Sequence, residues 1–135
     1  MLWASQVAPG HENGLRLRVY GAKGGIEWVQ AEPNTLVHSP LGAPRQLVTR
    51  GSAAAGPAAA RVTRIPSGHP EGYLEGFANI YTDVATAIRS VDAGQPIPSV
   101  VDFPGIADGV IGMAFIEAAV KSSAAGAVWI RPDFV

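Results

Sequence analysis

The stretch "LRLRVYGAKGGIEWVQ", from Leu15 to Gln30, constrains the fold of this chain more than any other. Leu15, Leu17 and Val19 alternate with Arg16, Arg18 and Tyr20, the period of two that gives a strand one apolar and one polar face. Ile26 and Trp28 repeat that period after a glycine-bounded turn, Gly21 to Gly24. Two alternating runs joined so tightly form a hairpin, and Glu27 is expected near Arg16 or Arg18 on the facing strand. "LWASQVA" reads as an earlier strand, joined through "PGHENG", where Asn13-Gly14 suits a tight turn with positive φ. "NTLVHS" and "RQLVT" continue the series after Pro33-Asn34. The short connections favour four or five strands in an open, mostly antiparallel or mixed sheet.

The second half is helical. "GSAAAGPAAA", residues 51–60, has too little side chain to bury and a proline in its middle, and is expected to be a loop or a mobile linker within the domain. Pro66, Gly68 and Pro70 then hold the backbone irregular, with Pro70 suited to the first turn of a helix. Tyr73, Phe77, Ile80, Tyr81, Val84, Ile88 and Val91 recur every three or four residues, and Gly94 is the natural stop. Fully buried, that stripe contributes on the order of ten kcal/mol before entropy is counted. A second helix, about Ile106 to Ala124, is apolar on nearly every side, as expected of a helix that is deeply buried or meets another subunit. Gly109 and Gly112 within it suggest close backbone approach, and "AVWI" after Gly126 reads as a closing strand. Strands first and helices second define an α+β class, with two main helices on one face of the sheet.

The 135 residues suit one domain, residues 1–135, and leave no room for a second of full size. Hydrophobic residues make up 47% and charged residues 16%, the balance of a globular chain. The formal net charge is −1 and the arginines are scattered, so no nucleic-acid footprint is present. There is no cysteine, which removes thiolate nucleophiles and cysteine metal sites. No apolar run is long enough to span a membrane, and no basic-then-apolar leader opens the chain. The expectation is a soluble, cytoplasmic protein. A chain that opens at once on the strand-like "LWASQV" suggests a cut from something longer.

His69, Glu71 and Tyr73 form the best site candidate, because a Pro/Gly loop meeting a helix N-terminus gathers titratable groups beside free backbone N–H donors. The plainer alternative is that Glu71 complements the helix dipole and Tyr73 begins the apolar stripe. His11 and His38 lie at no metal-ligand spacing, so no metal is expected. Ser67 sits in no nucleophile elbow. Asp102 and Asp108 flank the second helix start, where acids act as caps. "GAKGG" is a hairpin turn rather than the strand-to-helix loop that cradles a dinucleotide.

Three blocks carry a resemblance: "ASQVAPGHENGLRLRVYGAKGGIEWVQAEPNTL", "GHPEGYLEGFANIY" and "DFPGIADGVIGMAFIEAAVKSS". In order and spacing they resemble the C-terminal domain of the glucose-fructose oxidoreductase, inositol dehydrogenase and rhizopine-catabolism (Gfo/Idh/MocA) family of oxidoreductases. The resemblance implies a fragment of a two-domain enzyme, whose missing N-terminal Rossmann domain binds NAD or NADP. It implies no cofactor and no catalytic residue in this chain, since the family's E-K-P lysine and D-x-x-x-H pair have no counterpart. The only lysines are Lys23, in the hairpin turn, and Lys121, late in the second helix. It further implies a small sugar, polyol or related substrate, lined by His69, Glu71, Gly72 and Tyr73, and a homodimer or homotetramer formed through the sheet. The alternative class is a free-standing homodimeric structural or binding module without activity. A self-sufficient enzyme working through His69 and Glu71 lacks any nucleophile, metal or cofactor pattern.

Overall fold

The computed structural model describes residues 1–134. They fall into two compact units, residues 1–79 and residues 80–134.

The first unit is built on a four-stranded antiparallel sheet, β1 (Arg16–Gly21), β2 (Gly24–Val29), β3 (Thr35–Pro40) and β4 (Gln46–Thr49), in chain order. The alternating pattern sets the register. Leu17, Trp28, Leu36 and Val48 form one cross-strand row, and Val19, Ile26, His38 and Gln46 the next row of the same face. The opposite face carries Arg18, Glu27, Val37 and Leu47. Glu27 pairs across the ladder with Arg18 and lies 3.4 Å from the Arg16 Nε, as expected. Gly24 has φ +154 and lies against the Ser39 carbonyl, a position that a Cβ would not fit. Two charged residues on the edge strand β1 blunt its tendency to pair with foreign strands.

Four sequence expectations fail in instructive ways. "LWASQVA" is not a strand, and "AVWI" is irregular. Strand character depends on a pairing partner, and the ladder ends at β1 on one side and β4 on the other. The turn before β1 has its positive φ at Gly10 rather than at Asn13-Gly14. Residues 51–60 are ordered as a short 3₁₀ turn, Ala53–Ala55, followed by α1 (Gly56–Val62), with Pro57 in the first turn. Alanine has the best helix propensity of any residue and proline is tolerated at a helix start, so local propensity prevails where no side chain competes.

The helix α2 spans Tyr73–Asp92. Gly72 precedes it, its carbonyl accepting the Gly76 N–H at 2.8 Å. Pro70 therefore lies before the helix, not in its first turn. The end is set at Gly94, φ +65, whose N–H bonds the Val91 carbonyl while Gln95 N–H reaches that of Ser90, a left-handed C-terminal cap. The predicted core stripe is exposed in this chain, from Val84 at 39% to Tyr73 at 76%, and the buried residues of α2 are Asp83 and Ala87. Periodicity shows which face of a helix is made to be covered, but not what covers it.

The helix α3 spans Ile106–Ala124 and is capped as read from the sequence, Asp108 accepting the Gly105 N–H at 2.8 Å. Its large apolar residues, Ile106, Val110, Ile111, Phe115 and Ile116 among them, are all exposed, and Ala118 is its buried residue. Gly109 and Gly112 face open space rather than a close backbone. No described helix is long and apolar enough to cross a membrane.

Candidate functional site at the start of α2

The loop that leads into α2 is held by three residues far apart in sequence. Asn34 lies in the β2–β3 turn, Arg50 directly follows β4, and Glu71 comes two residues before α2. The Arg50 N–H donates to the Asn34 carbonyl at 2.8 Å, extending the β3–β4 ladder by one bond. That bond fixes the point from which the Arg50 side chain departs. Its Nη1 meets the Glu71 Oε2 at 2.6 Å, with only 14% of the arginine side chain and 6% of the glutamate side chain exposed. Glu71 Oε1 accepts the Arg64 N–H at 2.7 Å, and Oε2 accepts the Ile65 N–H at 3.3 Å. The Asn34 Oδ1 accepts both Arg50 Nε, at 2.6 Å, and the Glu71 N–H, at 3.2 Å. A buried charge needs a partner and filled hydrogen-bonding positions, and this pair has both.

Two further contacts seat the loop. Arg64 donates to Asn79 Oδ1 at 2.6 Å, while Asn79 Nδ2 donates to the Val62 carbonyl at 2.9 Å. Gly51, φ +74, lies so close to the Ser67 hydroxyl that a Cβ at residue 51 would collide with it.

The structure therefore divides the residues expected to line a substrate pocket. His69 is exposed; its N–H bonds the Pro66 carbonyl at 3.2 Å and its carbonyl accepts from Arg50 Nη2 at 2.6 Å. Both bonds use the main chain and leave the imidazole out of the network. Tyr73 is 76% exposed and stands 4.9 Å from the Phe77 ring, tilted. Glu71 is buried, its two oxygens engaged by Arg50, Arg64 and Ile65. Gly72 donates its N–H to Glu75 Oε2 at 2.9 Å, the bond that caps the helix. That hydrogen bond and the Glu75 N–H hold the Glu75 carboxyl below its usual range; desolvation opposes them, and the charges of Arg50 and Arg64 add lesser support.

Asn34 and Arg50 were missed in the sequence, because their link to Glu71 spans the β3–β4 hairpin and no local spacing records it. The one available signal was an arginine set at the end of a strand just before a glycine. Two shallow concavities of about 470 Å³ each lie instead around the Gly21–Gly24 turn, and neither is lined by His69, Glu71 or Tyr73. They are open depressions whose charged lining residues are Glu27 and Arg45 in one and Lys23 in the other. Among the described residues no three His, Asp or Glu side chains gather as metal ligands. "GAKGG" joins two antiparallel strands, so its backbone does not open a helix toward a dinucleotide phosphate.

An open antiparallel sheet followed by helices, with a glycine-, proline- and histidine-bearing loop at a helix mouth, defines an α+β domain. Residues 1–131 match the family described as "Oxidoreductase family, C-terminal alpha/beta domain". The chain belongs to this family, Gfo/Idh/MocA. It is 33% identical over 131 residues to the uncharacterized oxidoreductase YfiI of Bacillus subtilis (strain 168), covering 96% of this chain and 33% of that protein. Its structure is similar to an oxidoreductase from Sinorhizobium meliloti (57% identity, TM-score 0.88, 94% of this chain and 35% of that one). It is also similar to an inositol dehydrogenase homolog from Azotobacter vinelandii complexed with NADH and myo-inositol (34% identity, TM-score 0.88, 95% of this chain and 34% of that one). The chain thus spans about a third of the length of the relatives it matches.

Proposed function

We propose that this chain is the C-terminal, substrate-side domain of an NAD- or NADP-dependent oxidoreductase acting on a sugar, polyol or related hydroxy compound. The likeness over 95% of the chain to a homolog complexed with NADH and myo-inositol carries this reading. The dinucleotide belongs to a nucleotide-binding domain outside these residues, where it accepts or donates hydride. This chain supplies the wall facing the substrate. The exposed His69 imidazole and Tyr73 hydroxyl orient substrate hydroxyls by hydrogen bonds, and the Glu71 and Gly72 contribution runs through the shape they give the loop. The exposed apolar side chains Leu17, Val19 and Ile26 share one sheet face, and a second copy of the chain covers it.

The test uses the intact two-domain protein, assayed for reduction of NAD⁺ and of NADP⁺ with a panel of polyols and aldoses that includes myo-inositol. Turnover is expected with at least one of them, and His69→Ala is expected to lower kcat/KM about tenfold or more through KM, as loss of a hydrogen bond to a bound hydroxyl does. A protein that reduces neither cofactor, or a His69→Ala variant with unchanged kcat/KM on every substrate, refutes the assignment.

A further inference from the structure

We propose that Arg50 is a positioning residue that sets the shape of the His69 loop, and through it the place of the imidazole; the inference rests on the functional reading above. A guanidinium carries five N–H donors in a rigid planar fork, and here five acceptors meet it. Nε donates to Asn34 Oδ1 at 2.6 Å; Nη1 to the Ile65 carbonyl at 2.6 Å and to Glu71 Oε2 at 2.6 Å; Nη2 to the Pro66 carbonyl at 3.3 Å and the His69 carbonyl at 2.6 Å. Three of these acceptors are main-chain carbonyls of one irregular loop. Pro66, Ser67, Gly68, His69 and Pro70 are all exposed, so apolar burial contributes little to its conformation. Gly68, φ +86, adds backbone freedom in its middle. What fixes the loop is the fork of Arg50, and its bond to the His69 carbonyl ends one atom from the Cα that bears the imidazole.

Charge alone does not do this. The pairing with Glu71 needs a cation, which lysine supplies, but lysine has three donors on a flexible stem and no plane. Arg50→Lys therefore keeps the charge opposite Glu71 and abandons at least two of the five acceptors, separating geometry from electrostatics.

The experiment compares the intact wild-type protein with Arg50→Lys, Asn34→Ala and His69→Ala, by amide hydrogen exchange and by steady-state kinetics on the best polyol of the panel. In Arg50→Lys the amides of residues 64–72 are expected to exchange about tenfold faster while the strands keep their protection. KM should rise about tenfold with kcat changed less than about threefold, the pattern of lost substrate binding. Asn34→Ala, which removes one acceptor and leaves the ion pair, should shift both readouts the same way by less, and it decides the question if Arg50→Lys does not fold. Unchanged exchange at 64–72 overturns the proposal. So does loosening of the strands together with the loop, or a fall in kcat with KM constant. If His69→Ala is silent, or no polyol is turned over, the functional reading fails while loop exchange still decides the role of Arg50.

Discussion

The Arg50 loop and α3 are stabilised by opposite means. The loop is small, exposed along Pro66 to Pro70, and fixed by charge-assisted hydrogen bonds, each with an identified donor and acceptor. The helix α3 is apolar on nearly every side, carries two internal glycines and leaves its large apolar side chains in the open. A polar anchor specifies geometry and is complete within this chain. An apolar surface specifies only that something must cover it, and its stability waits for that partner.

The sharpest way to break the contrast is to remove one half of the buried ion pair. Arg50→Met strands the Glu71 carboxylate and is expected to cost about 3–5 kcal/mol in urea unfolding. Arg50→Met with Glu71→Met should cost less than the sum of the single changes, and an additive result would mean that the two side chains do not act as a unit. On the apolar side, Ile111→Gln is expected to change the stability of this chain alone by less than about 0.5 kcal/mol. In the intact protein the same change should cost about 2 kcal/mol, because there the side chain is covered. Equal effects in both contexts would show α3 to be a solvated helix. Next comes Gly51→Ala, which meets both a positive φ and the Ser67 hydroxyl, at about 1–2 kcal/mol by thermal denaturation. Adding Ser67→Gly should recover the part due to collision and leave the backbone part.

The smallest effect is a pH dependence. The folded Glu75 carboxyl titrates below its usual 4.5 because its ionised form accepts the Gly72 N–H. A depressed carboxyl stabilises the fold above its unfolded pKa and loses that contribution as the pH falls through the folded value. Thermal stability should therefore decline below about pH 4.5 slightly more in wild type than in Glu75→Gln, and parallel curves would remove Glu75 as a cap.

The sheet was largely legible in the sequence, because a period of two and a glycine-bounded turn fix both the pairing and the register. Both long helices were legible too, and α3 runs over the residues its pattern marked. What misled were segments whose state depends on something other than themselves. "LWASQVA" has strand composition but no partner edge. The alanine run has no periodicity to read, so its helix had to be found from propensity. Of the candidate site, His69 was visible as a residue that no apolar period requires, and Tyr73 as the first residue of the stripe. The Arg50 network was not, because its three members come together only once β3 and β4 have paired.

That dependence has a consequence for how the chain changes over evolutionary time. The side chains at positions 34, 50 and 71 are joined directly to one another, with Asn34 Oδ1 accepting from both of the other two residues and Arg50 paired with Glu71. A replacement at any one of them alone leaves a buried hydrogen-bonding group unanswered. Across relatives the three are therefore expected to be inherited as a single character, kept whole or exchanged together, while the exposed side chain at position 69, joined to the network only through its main chain, can vary with the molecule it meets.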